Sequence, residues 1–228
     1  MALYAIGDLH LSLGAQKPMD IFGGSWTGYM DKLCEGFSHI QQDDTTILMG
    51  DLSWALDLQE AKADFAWIDK IPGRKIILKG NHDYWWSTAA KFYRFCEENN
   101  FSNQLILNNN HYVYDGWAIC GTRGWFYEEE RSSQQDGKVF RRELMRLESS
   151  LKSAGELPKM VFLHYPPRYK GYTCDPILEL LRKYEVRKCF YGHLHGASHG
   201  LAMEGVWDGI EYRLLSADRI NFQPAKIL

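Results

Sequence analysis

Five short apolar runs in this chain end in the same kind of polar punctuation. Leu3–Ile6 stops at Gly7-Asp8-Leu9-His10, run 46–49 stops at Gly50-Asp51, and run 75–78 leads through Lys79 into Gly80-Asn81-His82-Asp83. Run 160–163 stops at His164-Tyr165-Pro166-Pro167, and run 188–191 at Gly192-His193-Leu194-His195. Apolar runs this short, bounded by turn residues, read as strands. Between them lie helical spacings: Met30, Leu33, Cys34, Phe37 and Ile40, then Leu58, Ala61, Phe65 and Ile68 before Pro72-Gly73. Ser87 is placed to cap a helix reaching about Glu98. Phe140, Leu144, Leu147 and Leu151 form a further stripe, and Asp175-Pro176 opens another helix with proline at its first position. Strands alternating with helices of this length require crossover connections, so the fold class is α/β with a mostly parallel core.

Two Asp-Gly pairs interrupt that alternation. Asp115-Gly116 lies between 112–114 and 117–120, and Asp208-Gly209 between 202–207 and 210–215. Both predict antiparallel hairpins, because both central residues of the favoured two-residue turn need positive φ. Segments 11–29 and 124–137 show no period and read as surface loops, the kind that select substrate. The charged run 128–131 reads as a solvated face, and Asp218-Arg219 suggests no role.

The chain has 228 residues, so a single domain over 1–228 is expected to bury its own core. Five cysteines, odd in number and without a C-x-x-C pair, make neither a disulfide framework nor a thiolate zinc site. A net charge of −3 without long basic runs counts against a nucleic-acid footprint. No apolar stretch is long enough to span a bilayer, and the N-terminus lacks the basic start of a signal peptide. The expectation is a soluble cytoplasmic protein with no membrane partner.

In an open α/β sheet, ligands bind beyond the carboxyl ends of the strands. Five of the eight histidines (His10, His82, His164, His193, His195) stand at such ends, whereas His39, His111 and His199 do not. With Asp8, Asp51, Asp83 and Asn81 they form a set that cannot share a small volume cheaply without cations. Carboxylate, amide and imidazole donors without thiolate suit Mn, Fe, Zn or Co. Seven or so ligands exceed the needs of one tetrahedral ion, which makes two ions the better fit.

The ordered set Asp8-x-His10, Gly50-Asp51, Gly80-Asn81-His82-Asp83, His164 and Gly192-His193-x-His195 resembles the calcineurin-like metallophosphoesterase family. The resemblance implies a four-layer α/β/β/α sandwich of two mixed sheets, with the hairpin strands joining the second sheet. It also implies a dinuclear centre: Asp8, His10 and His195 on one ion, Asn81, His164 and His193 on the other, and Asp51 bridging both. His82 matches the family's catalytic histidine, and Asp83 is expected to orient its ring. The implied activity is hydrolysis of phosphomonoester or phosphodiester bonds in a small phosphorylated substrate by a hydroxide bridging the two ions. Nucleotide pyrophosphatase, nuclease and non-catalytic scaffold are the alternatives. The chain departs from three subclasses. It lacks the Asp-Arg-Gly of protein phosphatases after Asp51, has Trp54 where purple acid phosphatases place a ligating tyrosine, and has His82 where the lipid-A-pathway pyrophosphatases place arginine. Arg123, Trp54, Trp85 and Arg168 are the candidate substrate-binding residues, with Trp26 and Trp86 as further stacking candidates and Lys170 beside Arg168 as a further phosphate contact.

Overall fold

The computed structural model describes residues 1–126 and 133–228, so the charged run 128–131 lies outside the described residues. The chain divides into two compact units, Met1–Ile106 with Leu215–Leu228, and Leu107–Leu214. Two large mixed sheets flanked by helices result, one sheet in each unit.

In the first unit, strands β1 (Leu3–Ile6), β2 (Thr45–Met49), β3 (Arg74–Leu78) and β4 (Gln104–Ile106) lie side by side in sequence order and run parallel. The C-terminal strand Ala225–Lys226 closes the β1 edge antiparallel. Helices α1 (Tyr29–Phe37), α2 (Lys62–Lys70) and α3 (Ala89–Glu98) make the crossovers that parallel pairing demands. Their apolar faces bury Leu33, Phe37, Phe65, Ile68, Phe92 and Phe95 against Ile6, Leu48 and Ile77. The α1 stripe differs from the expected one. Cys34 faces solvent and Tyr29 is buried instead. Gly36 also packs inward, where an added Cβ would sit 2.0 Å from the Phe222 carbonyl oxygen. The cap of α3 is Thr88 rather than Ser87, its hydroxyl accepting from the Lys91 N–H.

In the second unit, β5 (His111–Tyr114), β6 (Trp117–Thr122), β7 (Lys159–Leu163), the short pair β8 (Arg168–Tyr169) and β9 (Tyr172–Thr173), β10 (Val186–Tyr191), β11 (Gly205–Trp207) and β12 (Ile210–Leu214) supply the strands. The sheet order is β11-β12-β10-β7-β6-β5, parallel through β12, β10, β7 and β6 and antiparallel at both edges. Both predicted Asp-Gly hairpins form these edges, with φ of 45° and 75° at Asp115-Gly116 and 53° and 76° at Asp208-Gly209. Helices α4 (Gln134–Ser153) and α5 (Asp175–Lys183) cover the sheet through Phe140, Leu147, Leu151, Ile177, Leu178 and Leu181. Segment 124–137 is therefore not a loop to its end. Ser133 caps α4 and trades hydrogen bonds with Asp136, a capping box that apolar periodicity does not reveal. Helix α5 takes Cys174 as its cap and Asp175 as its first residue, one position earlier than expected. Among the described residues no helix is long and apolar enough to cross a membrane.

Candidate metal-binding and catalytic site

The parallel strands of the first unit direct three carboxyl ends to one sheet edge. Beyond β1 stand Asp8 and His10, beyond β2 Asp51, and beyond β3 Asn81, His82 and Asp83. Backbone bonds continue the ladder past the strands: Asp8 N–H to Gly50 O and His10 N–H to Asp51 O, both 2.9 Å. Asp8, His10 and Asp51 take φ of 62°, 47° and 50°. Left-handed backbone costs a residue other than glycine on the order of 1 kcal/mol or more and collects at sites where geometry matters more than comfort.

The side chains then converge. Ligand atoms of Asp8 and His10 lie within 4.8 Å of each other, and His10 Nε2 is 3.9 Å from Asp51 Oδ2. Asp51 Oδ1 accepts the His82 N–H at 2.7 Å. Gly80 permits this closeness, since an added Cβ would fall 2.1 Å from Asp51 Oδ1. Trp54 is half-buried, stacked on His10 at 4.9 Å and against His82 at 4.6 Å, so it is positioned with the candidate donors.

Asp83 behaves differently from the expectation that it orients the His82 ring. Its Oδ2 accepts from the N–H groups of Asp51 (2.9 Å) and Gly80 (2.7 Å), and its Oδ1 from Leu52 N–H (2.8 Å) and the Trp85 indole (2.9 Å). A carboxylate so engaged has its lone pairs committed to three backbone N–H groups and an indole. It ties the β2 end to the β3 end. The group beside His82 Nδ1 is instead the hydroxyl of Tyr84 at 3.4 Å, a residue the motif reading did not single out. Beneath the same loops, buried Asp64 on α2 accepts from Leu13 N–H and from the Ser53 hydroxyl, and burial pushes its carboxyl above the usual range.

In the second unit, β6, β7 and β10 end together at Arg123, His164 and His193. The Arg123 carbonyl accepts from His164 and Tyr165 N–H, and the His164 carbonyl accepts from Gly192 N–H. His193 takes φ of 73°, and its Nδ1 lies 3.3 Å from His164 Nε2. Two imidazole nitrogens that close, with His164 wholly buried, can share a proton between them or hold one cation together. His195 donates its N–H to Ser198, and its ring lies within ligand distance of His199. His199 stands away from any strand end. A short 3₁₀ turn, Gly196–Leu201, brings it back, a fold the spacing did not signal.

The substrate candidates divide. Trp85 is core, 3% exposed and packed on Phe65 and Phe92, so it offers no face to a ligand. Trp26 is likewise buried, edge-on to His10 at 5.7 Å. The Arg123 guanidinium pairs with buried Glu143 at 3.3 Å and lies over Trp125, a position explained by the ion pair. Arg168 opens β8 with its guanidinium over Trp207 at 5.0 Å. Buried thiols play no nucleophilic part in this chemistry, since burial pushes Cys96 to about 12 and Cys120 to about 11.

A sequence model of the calcineurin-like phosphoesterase family matches residues 1–197, a span that contains every donor described above except His199. The chain belongs to the calcineurin-like phosphoesterase family. Its two mixed sheets flanked by helices agree with the fold of that family. Among solved structures, the protein of unknown function AQ665 from Aquifex aeolicus is similar over 99% of this chain and 95% of its own, at 16% identity and a TM-score of 0.54. TT1561 of Thermus thermophilus is similar over 85% of this chain and 81% of its own, at 13% identity and a TM-score of 0.53. No curated protein matches significantly.

Proposed function

We propose that this calcineurin-like phosphoesterase is a hydrolase of phosphomonoester or phosphodiester bonds in a small phosphorylated substrate, dependent on two divalent or trivalent ions such as Mn, Fe or Zn. The observation that carries the reading is that, in each unit, the family's donor residues stand together at the carboxyl edge of the sheet. In the first unit the ligands would be Asp8, His10, Asp51 and Asn81, and in the second His164, His193 and His195. The donor set fits hard or borderline cations, being carboxylate, amide and imidazole throughout. Such ions, when bound, lower the pKa of water toward neutrality and draw charge from a phosphate oxygen.

The chain's own groups do the rest. Asp51 turns both carboxylate oxygens toward its surroundings, one holding the His82 N–H and the other facing His10. His82, held from below by that bond and flanked by Trp54 and Tyr84, would deliver a proton to the leaving oxygen. The stacked indole of Trp54 shields His10 from water on one side. The reading also takes the protein to act in the cytoplasm.

Metal content measured by mass spectrometry, beside turnover of nitrophenyl mono- and diesters, tests the proposal. Wild type should carry metal, lose turnover to a chelator and regain it with Mn. Asp51→Asn should lose at least one ion and nearly all activity. A wild-type protein that binds no metal, or an Asp51→Asn variant retaining two ions, would overturn it.

A further inference from the structure

The hairpin β8–β9 lines an open cavity of about 290 Å³ whose walls include Arg168, Tyr169, Lys170, Tyr172 and Met203. Among the described residues no carboxylate lines it. Among the described residues neither Arg168 nor Lys170 has an ion-pair partner; the Asp208 carboxylate, which feels the Arg168 charge, pairs with Arg182 at 2.8 Å. The Arg168 guanidinium lies over the Trp207 ring at 5.0 Å, and its Nε is buried with no hydrogen-bond partner among the described residues. A guanidinium and an ammonium without a paired carboxylate bind an entering anion through charge-assisted hydrogen bonds from their terminal nitrogens.

The cavity is also placed to serve the candidate site of its own unit. Three residues, Tyr165-Pro166-Pro167, separate His164 from Arg168. Phe126 packs on His193 at 5.2 Å and, on its other contacts, on Tyr169 at 5.3 Å and Tyr172 at 5.2 Å. One aromatic ring thus stands between His193 and the hairpin. The cavity falls just below the roughly 300–1,000 Å³ of pockets that engulf a whole small molecule, so a single group fits it better than a nucleoside.

We propose that this hairpin cavity is a specificity subsite for a second anionic group on the substrate, a distal phosphate or carboxylate held by Arg168 and Lys170. The inference rests on the phosphoesterase reading above and names its substrate class: compounds with two anionic groups separated by a short spacer.

The test uses the full chain loaded with Mn and whichever nitrophenyl phosphate ester it turns over. Fructose 6-phosphate and fructose 1,6-bisphosphate compete against that ester. The bisphosphate should compete at least about tenfold more strongly in wild type. In Arg168→Met/Lys170→Met the ratio should fall toward one, and in Arg168→Lys, which keeps charge but loses the planar fork, to an intermediate value. Equal competition in wild type, or a ratio unchanged in the double variant, overturns the subsite. If no ester is hydrolysed, the phosphoesterase reading fails separately. The subsite is then read from the tryptophan fluorescence that differs between wild type and Trp207→Phe. A saturable change with the bisphosphate, lost in Arg168→Met, supports it, and no change overturns it.

Discussion

The two units hold their candidate donors by different means. In the first, buried carboxylates clamp the loops: Asp83 gathers N–H groups from two strand ends, and Asp64 ties Ser53 to the loop after β1. In the second, no carboxylate spans the His164 and His193 loops among the described residues. Main-chain bonds align them, and the rings of Phe126 and Tyr165 pack on His193 at 5.2 and 4.4 Å. A polar clamp concentrates its energy in one group whose loss strands several donors. A ring cluster spreads its energy over many weak contacts, each removable at modest cost.

The largest effect should come from breaking the clamp. Asp83→Ala leaves the N–H groups of Asp51, Leu52 and Gly80 and the Trp85 indole without their acceptor, which should cost about 3–5 kcal/mol, each buried unsatisfied donor carrying roughly 1–3. Urea denaturation measures it. A loss below about 1 kcal/mol would mean that water or neighbouring carbonyls replace the carboxylate and that the clamp is not the feature that distinguishes the first unit.

Phe126→Ala is the counterpart in the second unit. Phe126 touches Tyr165, Tyr169, Tyr172 and His193, and it is partly exposed. Aromatic pairs contribute roughly 0.5–1.5 kcal/mol each and overlap when they share a ring, so the expected cost is about 1–3 kcal/mol. A loss as large as that of Asp83→Ala would erase the contrast between concentrated and distributed support.

The smallest effect is alkaline. Burial raises the Cys120 thiol from 9.0 to about 11. The unfolded chain therefore gives up that proton first, and stability present below pH 9 is lost as pH rises from about 9 toward 11. By pH 9.5 the loss from this group should be about 0.5–1 kcal/mol. In the first unit, buried Lys75 acts in the opposite sense. Its ammonium donates to the Ile71 and Gly73 carbonyls, yet burial depresses its pKa, so the unfolded chain holds the extra proton below 10.5 and stability rises with pH there. Denaturation midpoints at pH 8 and 9.5 should fall less in Cys120→Ala, and more in Lys75→Met, than in wild type. Identical slopes in all three proteins would remove both assignments.

Strand ends and hairpin turns were legible in the chain because they depend on short-range chemistry. Each apolar run is long enough to cross a sheet and no longer, and the Asp-Gly pairs adopt the positive φ that their turn type requires. Family membership was legible for a related reason, since donors spaced along the whole chain in a fixed order survive as a pattern when little else does. Helix caps were less so. Ser87 and Thr88 are both good caps, and only the path of the backbone chose Thr88. The same holds for Ser133, whose box with Asp136 starts α4 inside a segment without apolar period.

What only tertiary structure decided is which neighbour each side chain meets. Asp83 stands next to His82 in sequence, which made a ring bond the natural expectation. Parallel pairing of β2 with β3 instead brings the N–H groups of Asp51 and Leu52 within reach, and a buried carboxylate turns to donors that would otherwise go unsatisfied. Trp85 looked like a stacking platform beside His82 and became core, because the crossover into α3 lays it on Phe65 and Phe92. Tyr84, one residue earlier, stays at the surface with its hydroxyl toward His82. The sequence by itself determined the donor types, their order and their strand-end positions, because local hydrophobic pattern sets where strands stop. The tertiary structure decided their partners, because burial obliges every polar group to find one, and the candidates come from strands far apart along the chain.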